Sequence, residues 1–222
     1  IPGLAEHGIS VCTTPHSEHA ANVVDQLVKD AGPVVVGAVQ GASCFGPAYE
    51  FAFLLHHELE RRGGQKLVDQ CHMAFVTPEP QAGHLGLNGA GDSVALLRDL
   101  LREKNIECLC NTRTLKVERN AVEVEQLDEN GVVIKKATLP SNLTMLIPPF
   151  EGKDIWKKVA GLTDSKGLVL VNEYQQSPMF RNIFAVGVAV SIPQTIKTVL
   201  PTGVPKTGYL IESQGTAAVK NI

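Results

Sequence analysis

The feature that most constrains the fold is a short apolar run that lies between two chain breaks. Gly32-Pro33 ends the preceding segment, residues 34–39 are almost entirely apolar, and a glycine-rich turn follows. A short apolar run bounded in this way is typical of a strand buried on both faces of a parallel sheet. Pro47 is well placed for the first turn of the helix that follows. The sequence therefore predicts a strand–turn–helix unit of an α/β fold.

The hydrophobic spacing of the later segments extends this unit into a β-α-β-α-β order with parallel pairing, followed by an antiparallel meander. The predicted helices are residues 17–30, with Ser17 as a possible cap, 48–62, ended by Gly63-Gly64, 92–104, and one from about 207. The predicted strands are 34–39, 71–76, 106–110, 143–147 and 182–189, with the meander at 112–118, 121–127 and 131–138. We therefore predict the fold class α/β, with a Rossmann-like three-layer domain at 32–147 that carries the antiparallel β-meander. Residues 1–31 and 148–222 would belong to a second domain into which this unit is inserted.

Composition and charge exclude several classes of protein. The 222 residues are 44% hydrophobic, and 20 basic residues stand against 23 acidic ones, which gives a net charge of −3. A general nucleic-acid binder should show a basic excess, and this chain has none, so no nucleic acid partner is expected. Five cysteines are an odd number and too few for a disulfide-stapled secreted scaffold. Both ends look cut, so we expect a fragment of a longer chain.

The glycine-rich turn at 37–46 sits where a dinucleotide fingerprint would lie, between a strand and a helix. Its spacing is not G-x-G-x-x-G, because the first interval is too long for the tight turn that seats a pyrophosphate. Glu79 follows the next strand and could take the place of a ribose-binding acid. The turn either binds a nicotinamide nucleotide despite its spacing or joins strand to helix without a ligand.

Two cysteines are candidates for redox chemistry. Cys44 lies in the turn, close to a helix start, where unpaired N–H groups favour an accessible thiolate; the alternative is a buried, inert thiol. Cys12 precedes His16 by four residues, but Pro15 argues against a helix between them, so the two need not lie close together. The favoured alternative for Cys12 is a core residue at a strand end.

Other positions carry weaker signals. Glu50 is expected in the first turn of the helix after Cys44, and His84 lies in an irregular loop where it could be catalytic or merely solvated. Cys108 and Cys110 alternate along a strand and face the same side, where core packing is favoured over a metal site, and no metal site is predicted. Residues 201–208 open the last helix and could contact a cofactor through backbone N–H groups.

Five segments together resemble the sulfide:quinone oxidoreductases, within the glutathione-reductase-like flavoproteins that have two dinucleotide-binding domains. They are V-C-T-T-P-H (11–16), G-A-S-C-F-G-P-A-Y-E (41–50), P-E-P-Q-A-G-H-L-G (78–86), N-I-F-A-V-G (182–187) and P-T-G-V-P-K-T-G-Y (201–209). The resemblance covers nearly the whole chain, in the family's order. It implies that the flanking domain binds FAD and that sulfide is oxidised at cysteines, with electrons passing through the flavin to a membrane quinone.

The resemblance also implies roles for individual residues. Catalytic positions would be Cys44, Cys12, Glu50, His16 and His84. Cofactor-binding positions would be Gly187, Val188, Thr202, Gly203, Lys206 and Thr207. Val188 stands where many related flavoproteins have Asp, as also happens in sulfide:quinone enzymes.

Other family features would lie outside this chain. The first FAD fingerprint would precede Ile1, and a third cysteine and amphipathic membrane-contacting helices would follow Ile222, so this piece alone should bind FAD weakly and be inactive. The parent would be a peripheral protein of a prokaryotic inner membrane that could form a homo-oligomer, and the fragment itself would be soluble. Three alternatives stay open: a type II NADH dehydrogenase-like enzyme or other pyridine nucleotide-disulfide oxidoreductase, a catalytically dead sulfur-binding paralogue, and a flavocytochrome c sulfide dehydrogenase subunit.

Overall fold

The computed structural model describes residues 1–194 and 196–222 and has a parallel sheet with a separate antiparallel sheet beside it. The helices are α1 (Leu4–His7), α2 (Thr14–Lys29), α3 (Gly46–Gln70), α4 (Ser93–Glu103), α5 (Asp154–Lys157) and α6 (Gly208–Asn221). The strands are β1 (Val34–Ala38), β2 (Met73–Val76), β3 (Glu107–Leu109), β4 (Thr112–Glu118), β5 (Ala121–Leu127), β6 (Val133–Pro140) and β7 (Leu143–Ile147).

Strands β1, β2, β3 and β7 form a four-stranded parallel sheet in the order β3-β2-β1-β7. One hydrophobic cluster joins this sheet to helices α2 and α3. A second cluster joins the opposite face of the sheet, through Val35 and Leu146, to Val122 and Val124 of the meander β4-β5-β6. The layers are therefore helices, parallel sheet and antiparallel sheet. The predicted α/β class, the Rossmann-like order and the meander are confirmed.

Helix α2 begins earlier than its hydrophobic spacing predicts. Thr13, and not Ser17, is the N-cap, and its hydroxyl accepts a hydrogen bond of 3.3 Å from the His16 N–H. Pro15 lies in the first turn, where its missing N–H would have had no helical partner. The expectation that Pro15 prevents a helix at His16 is therefore wrong, and His16 belongs to α2.

The glycine pair at 63–64 interrupts helix α3 without ending the helical segment. Gly64 has φ 66° and ψ −169°, far from helical values, and a further helical stretch runs to Gln70. The predicted break is thus present, but a second short helical piece follows it directly. The beginning at Gly46 places Pro47 in the first turn, as the sequence predicts.

The predicted strand at 182–189 is wrong. A 3₁₀ turn covers Gly187–Ala189, and this region makes only isolated bridges, from Phe184 to Gln176 and from Val190 to Val169. An apolar run forms a strand only where a neighbouring strand accepts its backbone hydrogen bonds, and the residues described here offer single partners.

The proposed domain boundaries at 31 and 148 stay predictions. Ala20 and Leu27 of α2 pack in the same hydrophobic cluster as β1 and α3, so this helix contributes to the core of the α/β unit. Among the described residues, no helix combines the length and the apolar character needed to cross a bilayer.

Candidate functional site

Two loops meet over the glycine turn that follows β1. The Gly41 N–H donates to the Pro201 carbonyl at 2.6 Å, and the Gly203 N–H donates to the Ala42 carbonyl at 2.7 Å. A side chain on Gly203 would collide with Ser43, since an added Cβ would stand 2.6 Å from the Ser43 Cβ. The loop at 201–206 is therefore fastened directly onto the turn that carries Cys44.

A third loop, which follows β2 and carries His84, touches the same place. Gly86 has φ 73°, and a Cβ on it would overlap the Gly203 carbonyl oxygen. The carboxyl ends of neighbouring parallel strands share one edge of the sheet, which is where ligands bind in open α/β folds. The structure thus brings the segments of Cys44, His84 and Gly203 together at that edge.

Cys44 lies half-buried just before helix α3, beside the backbone of Lys206. Burial raises the pKa of its thiol, while the Lys206 N–H and the Lys206 charge pull that pKa down. The expected ready thiolate at a helix start is therefore wrong for this state, because loss of water outweighs the favourable N–H and cation. The Cys44 thiol thus has a raised pKa and lies next to the groups that would stabilise its anion.

The Lys206 ammonium is almost entirely buried. Its Nζ donates to the carbonyl oxygens of Val188, at 3.0 Å, and Val190, at 2.6 Å. Burial lowers the pKa of this amine, and the Asp164 carboxylate opposes that shift. Lys206 therefore ties the 3₁₀ turn at 187–189 to the loop over Cys44, and its side chain is not free to hold a ligand.

Cys12 and His16 are both exposed and share one hydrogen-bonding partner. The Ser10 hydroxyl lies 3.3 Å from the Cys12 N–H and 3.2 Å from His16 Nδ1. Both residues line a cavity of about 550 Å³ between the first residues of the chain and the end of β7. Because Cys12 is exposed, the interpretation as a core cysteine is wrong. Its thiol is close enough to Cys44 to raise the pKa of that thiol.

His84 is buried, and its surroundings favour the uncharged imidazole. Its Nδ1 accepts a hydrogen bond of 3.2 Å from the Gly86 N–H, and burial lowers the pKa of the ring. Acceptance at Nδ1 leaves the ring proton on Nε2. His84 is therefore a buried residue whose Nε2–H is the group it could donate, and not a solvated loop residue.

Most of the other predicted site residues are exposed, and they make few side-chain contacts with the junction. Glu50 is exposed and lies beyond the first turn of α3, which holds no acidic residue, because the helix already begins at Gly46. Gly187 has φ 74°, and its N–H donates to Gln214 Oε1 at 2.7 Å. Val188 is exposed, and Thr207 is the exposed N-cap of α6 and makes no side-chain cap bond.

Thr202 is buried with its hydroxyl already engaged. Its Oγ1 lies 3.1 Å from Thr198 Oγ1 and 3.3 Å from Gln194 Nε2. Like Lys206, it supports the loop from inside. Of the predicted cofactor-binding residues, the side chains of these two are thus used by the protein itself.

The candidate ribose-binding acid is occupied in the same way. Glu79 is fully buried, and its Oε2 accepts from the Tyr49 hydroxyl at 2.8 Å and from the Thr77 hydroxyl at 2.7 Å. Its Oε1 accepts from the Leu85 N–H at 2.7 Å. A carboxylate held by three internal donors is not available to a ribose.

Sequence reasoning missed Tyr49 and Gln214 as partners in this region. Tyr49 stacks on Phe75 at 4.2 Å between ring centroids, and its oxygen also accepts the Gly83 N–H at 3.0 Å. The only sequence signal was its position one residue before Glu50, on the helix face toward the sheet. Gln214 carried no local signal, because its partner is 27 residues away.

Comparison with known proteins identifies relatives of this arrangement, although no family model matches the chain. The sulfide-quinone reductase of Aquifex aeolicus (strain VF5) is 41% identical over 224 residues, which cover 99% of this chain and 50% of that protein. The X-ray structure of the sulfide:quinone oxidoreductase from Aquifex aeolicus superposes with a TM-score of 0.89 at 38% identity, over 99% of this chain and 49% of the other. The chain thus spans about half the length of the curated relative it matches.

A more distant likeness concerns the fold alone. The structure of NDH2 from Plasmodium falciparum in complex with RYL-552 matches with a TM-score of 0.63 at 11% identity. It covers 86% of this chain and 40% of that one.

Proposed function

We propose that the parent protein of this chain is a sulfide:quinone oxidoreductase, which oxidises sulfide at Cys44 and passes the electrons through FAD to a quinone. The proposal is supported by the similarity to the sulfide-quinone reductase of Aquifex aeolicus over the half of that protein's length that this chain spans. The observation that carries the proposal is the setting of Cys44. Its thiol lies at the carboxyl edge of the sheet, beside the Lys206 N–H and cation and within electrostatic reach of Cys12.

This setting suits a sulfur nucleophile that is kept as a thiol until the reaction. When the Cys44 thiol and a hydrosulfide ion join as a persulfide anion, two electrons and two protons leave the pair. The buried Lys206 charge and N–H stabilise the sulfur anion that results. Bound FAD would supply the two-electron acceptor for this step.

The backbone around α6 fits a flavin better than the side chains do. Thr207 provides no side-chain cap, so the first N–H groups of α6 remain available to an electron-rich group. The exposed Val188 leaves the backbone of the 3₁₀ turn open to a ring on one side, while Gly187 beside it is buried with its N–H bonded to Gln214. Gly187, Val188, Gly203 and Thr207 would contact FAD through main-chain atoms, and Thr202 and Lys206 would hold the loop in place.

Specific observations weigh against a nicotinamide nucleotide as the electron donor. The Glu79 carboxylate accepts hydrogen bonds from the Tyr49 and Thr77 hydroxyls and from the Leu85 N–H. The Gly41 N–H in the turn donates to the Pro201 carbonyl. Both features that would hold a ribose and a pyrophosphate are therefore used internally. The type II NADH dehydrogenase-like alternative is accordingly disfavoured.

The partners follow from the proposal. Sulfide would enter from the side of the cavity that Cys12 and His16 line. The quinone would be met at a membrane surface, through parts of the protein outside this chain. We propose a peripheral location on a prokaryotic inner membrane and a homo-oligomer for the parent protein.

The test is an anaerobic titration of the full-length parent protein, loaded with FAD, with sulfide, followed by addition of a quinone. Bleaching of the flavin absorbance by sulfide and its return with quinone is expected. NADH should leave the absorbance unchanged. Bleaching by NADH but not by sulfide would overturn the proposal in favour of the nicotinamide alternative, and bleaching by neither would favour a catalytically dead sulfur-binding protein.

A further inference from the structure

A second pair of cysteines lies away from Cys44, at the free edge of the parallel sheet. Cys108 is in the edge strand β3, Cys110 follows the end of that strand, and their Sγ atoms are 3.5 Å apart. Both side chains are half-buried and both line a cavity of about 560 Å³. The sequence favours core packing for these two residues, but in the structure each also faces a cavity.

The two thiols differ in acidity, because each perturbs the other. The hydrogen bond from Cys108 lowers the pKa of the Cys110 thiol, and the Ala82 N–H adds to this effect. The same contact raises the pKa of the Cys108 thiol, and burial raises it further. The pair thus consists of one thiol that ionises more readily and one that keeps its proton beside it, which is the arrangement of an attacking and a resolving cysteine.

The cavity around the pair has both apolar and charged residues in its lining. Val94, Leu101 and Ile106 supply apolar walls. Arg98 and Arg102 of α4 line the cavity together with Glu107. Both guanidinium groups also contact the Asp99 carboxylate, at 3.2 and 3.3 Å, and keep further N–H groups for a ligand. A short chain of sulfur atoms with anionic ends matches this lining, because its body is poorly hydrated and its ends are negative.

We propose that Cys108 and Cys110 form a dithiol site that accepts zero-valent sulfur from inorganic polysulfide. The Cys110 thiolate attacks a hydrodisulfide ion, a Cys110 persulfide forms, and one hydrosulfide ion leaves. The Cys108 thiol then attacks Sγ of Cys110, so that a Cys108–Cys110 disulfide forms and the outer sulfur leaves as a second hydrosulfide ion. Two thiols are oxidised and one zero-valent sulfur atom is reduced to sulfide.

The backbone geometry permits this disulfide. Two residues of extended chain span about 6.6 Å, which is within the Cα separations that disulfides bridge. The presence of polysulfide near this protein rests on the proposed sulfide oxidation, but the reaction at the pair does not involve FAD or Cys44.

The test is treatment of the reduced protein with sodium tetrasulfide without oxygen, followed by alkylation and mass spectrometry of the tryptic peptide 105–113, which holds both cysteines. The expected product is a peptide two hydrogens lighter that carries no alkyl group, with release of sulfide. In Cys108→Ser, the Cys110 persulfide should accumulate and be alkylated with one extra sulfur. In Cys110→Ser, no disulfide and no persulfide should form in this peptide.

Arg98→Gln combined with Arg102→Gln should slow disulfide formation severalfold, and Cys71→Ser, a buried cysteine elsewhere, should leave it unchanged. Recovery of the peptide with both cysteines alkylated as thiols, while Cys12 or Cys44 has reacted, would overturn the proposal. Failure of the flavin titration with normal formation of this disulfide would contradict only the proposed function.

Discussion

The Tyr49 hydroxyl donates a hydrogen bond of 2.8 Å to the fully buried Glu79 carboxylate, and this contact closes the position where a dinucleotide-binding domain would present its acid to a ribose. The sheet order and the strand–turn–helix unit of such a domain are retained. The groups that would bind the nucleotide, the Glu79 carboxylate and the Gly41 N–H, are instead hydrogen-bonded to other residues of the protein. The architecture is thus used here to hold a cysteine at the sheet edge.

Tyr49→Phe should destabilise the fold, because it leaves a buried carboxyl oxygen with one donor fewer and the Gly83 N–H without its acceptor. The expected loss is about 1–3 kcal/mol in the free energy of unfolding, measured by denaturant titration. An equally stable variant would show that the contact contributes little. Leu54→Ala, at an exposed position of the same helix, is the control.

Glu79→Gln should flatten the pH dependence of stability. Burial raises the pKa of the Glu79 carboxyl in the folded protein above its ordinary value. The stabilisation that comes with the protonated form is complete below the ordinary pKa and is lost as the pH rises through the raised value. Unfolding measured across this window should show a decline for the original protein and a smaller one for the variant; parallel curves would contradict the assignment.

Lys206→Met should make the Cys44 thiol less reactive. The Lys206 charge lowers the pKa of this thiol, so its removal raises the pKa and reduces the thiolate fraction at a given pH. The rate of alkylation of Cys44 at pH 8, followed by peptide mass spectrometry, should fall several-fold, whereas the exposed Lys158→Met should not change it. An unchanged rate in a folded Lys206→Met protein would contradict the claim that the Lys206 charge lowers the pKa of the Cys44 thiol.

Gly203→Ala should loosen the loop from the turn that carries Cys44. The added methyl group would stand 2.6 Å from Ser43 Cβ and 3.1 Å from the Ala42 oxygen, so one of the two loops must move. We expect a loss of about 1–3 kcal/mol in the free energy of unfolding and faster alkylation of Cys44. Gly208→Ala is the matched control, because its methyl group would meet nothing within 4 Å. Equal behaviour of the two variants would contradict the close contact.

Much of the fold follows from local patterns. The strands at 112–118, 121–127 and 143–147 were predicted with the bounds that the structure gives, because alternation or an unbroken apolar run is itself the cause of their burial. The segment at 182–189 has a similar apolar run, yet it lacks a continuous partner strand. Pairing depends on distant residues, so a local pattern cannot decide it.

The sequence indicates which segments belong to the candidate site more readily than the state of their side chains. The strings around Cys44 and His84 mark loops that the structure brings to one edge of the sheet, and the catalytic roles of Cys12, Cys44 and His84 stay predictions. That Cys44 has a raised pKa and that Lys206 and Thr202 are occupied internally depends on burial and on contacts across many residues. Such tertiary effects have no counterpart in the spacing of the sequence.

The most direct measurement is the rate at which sulfide reduces the flavin of the FAD-loaded protein when Cys44 is replaced by serine. Cys44→Ser should retain FAD and lose sulfide-driven bleaching, while Cys71→Ser, which replaces a buried cysteine far from the junction, should bleach at the original rate. Bleaching of the Cys44→Ser protein at the rate of the original would contradict the central claim that sulfide reacts at Cys44.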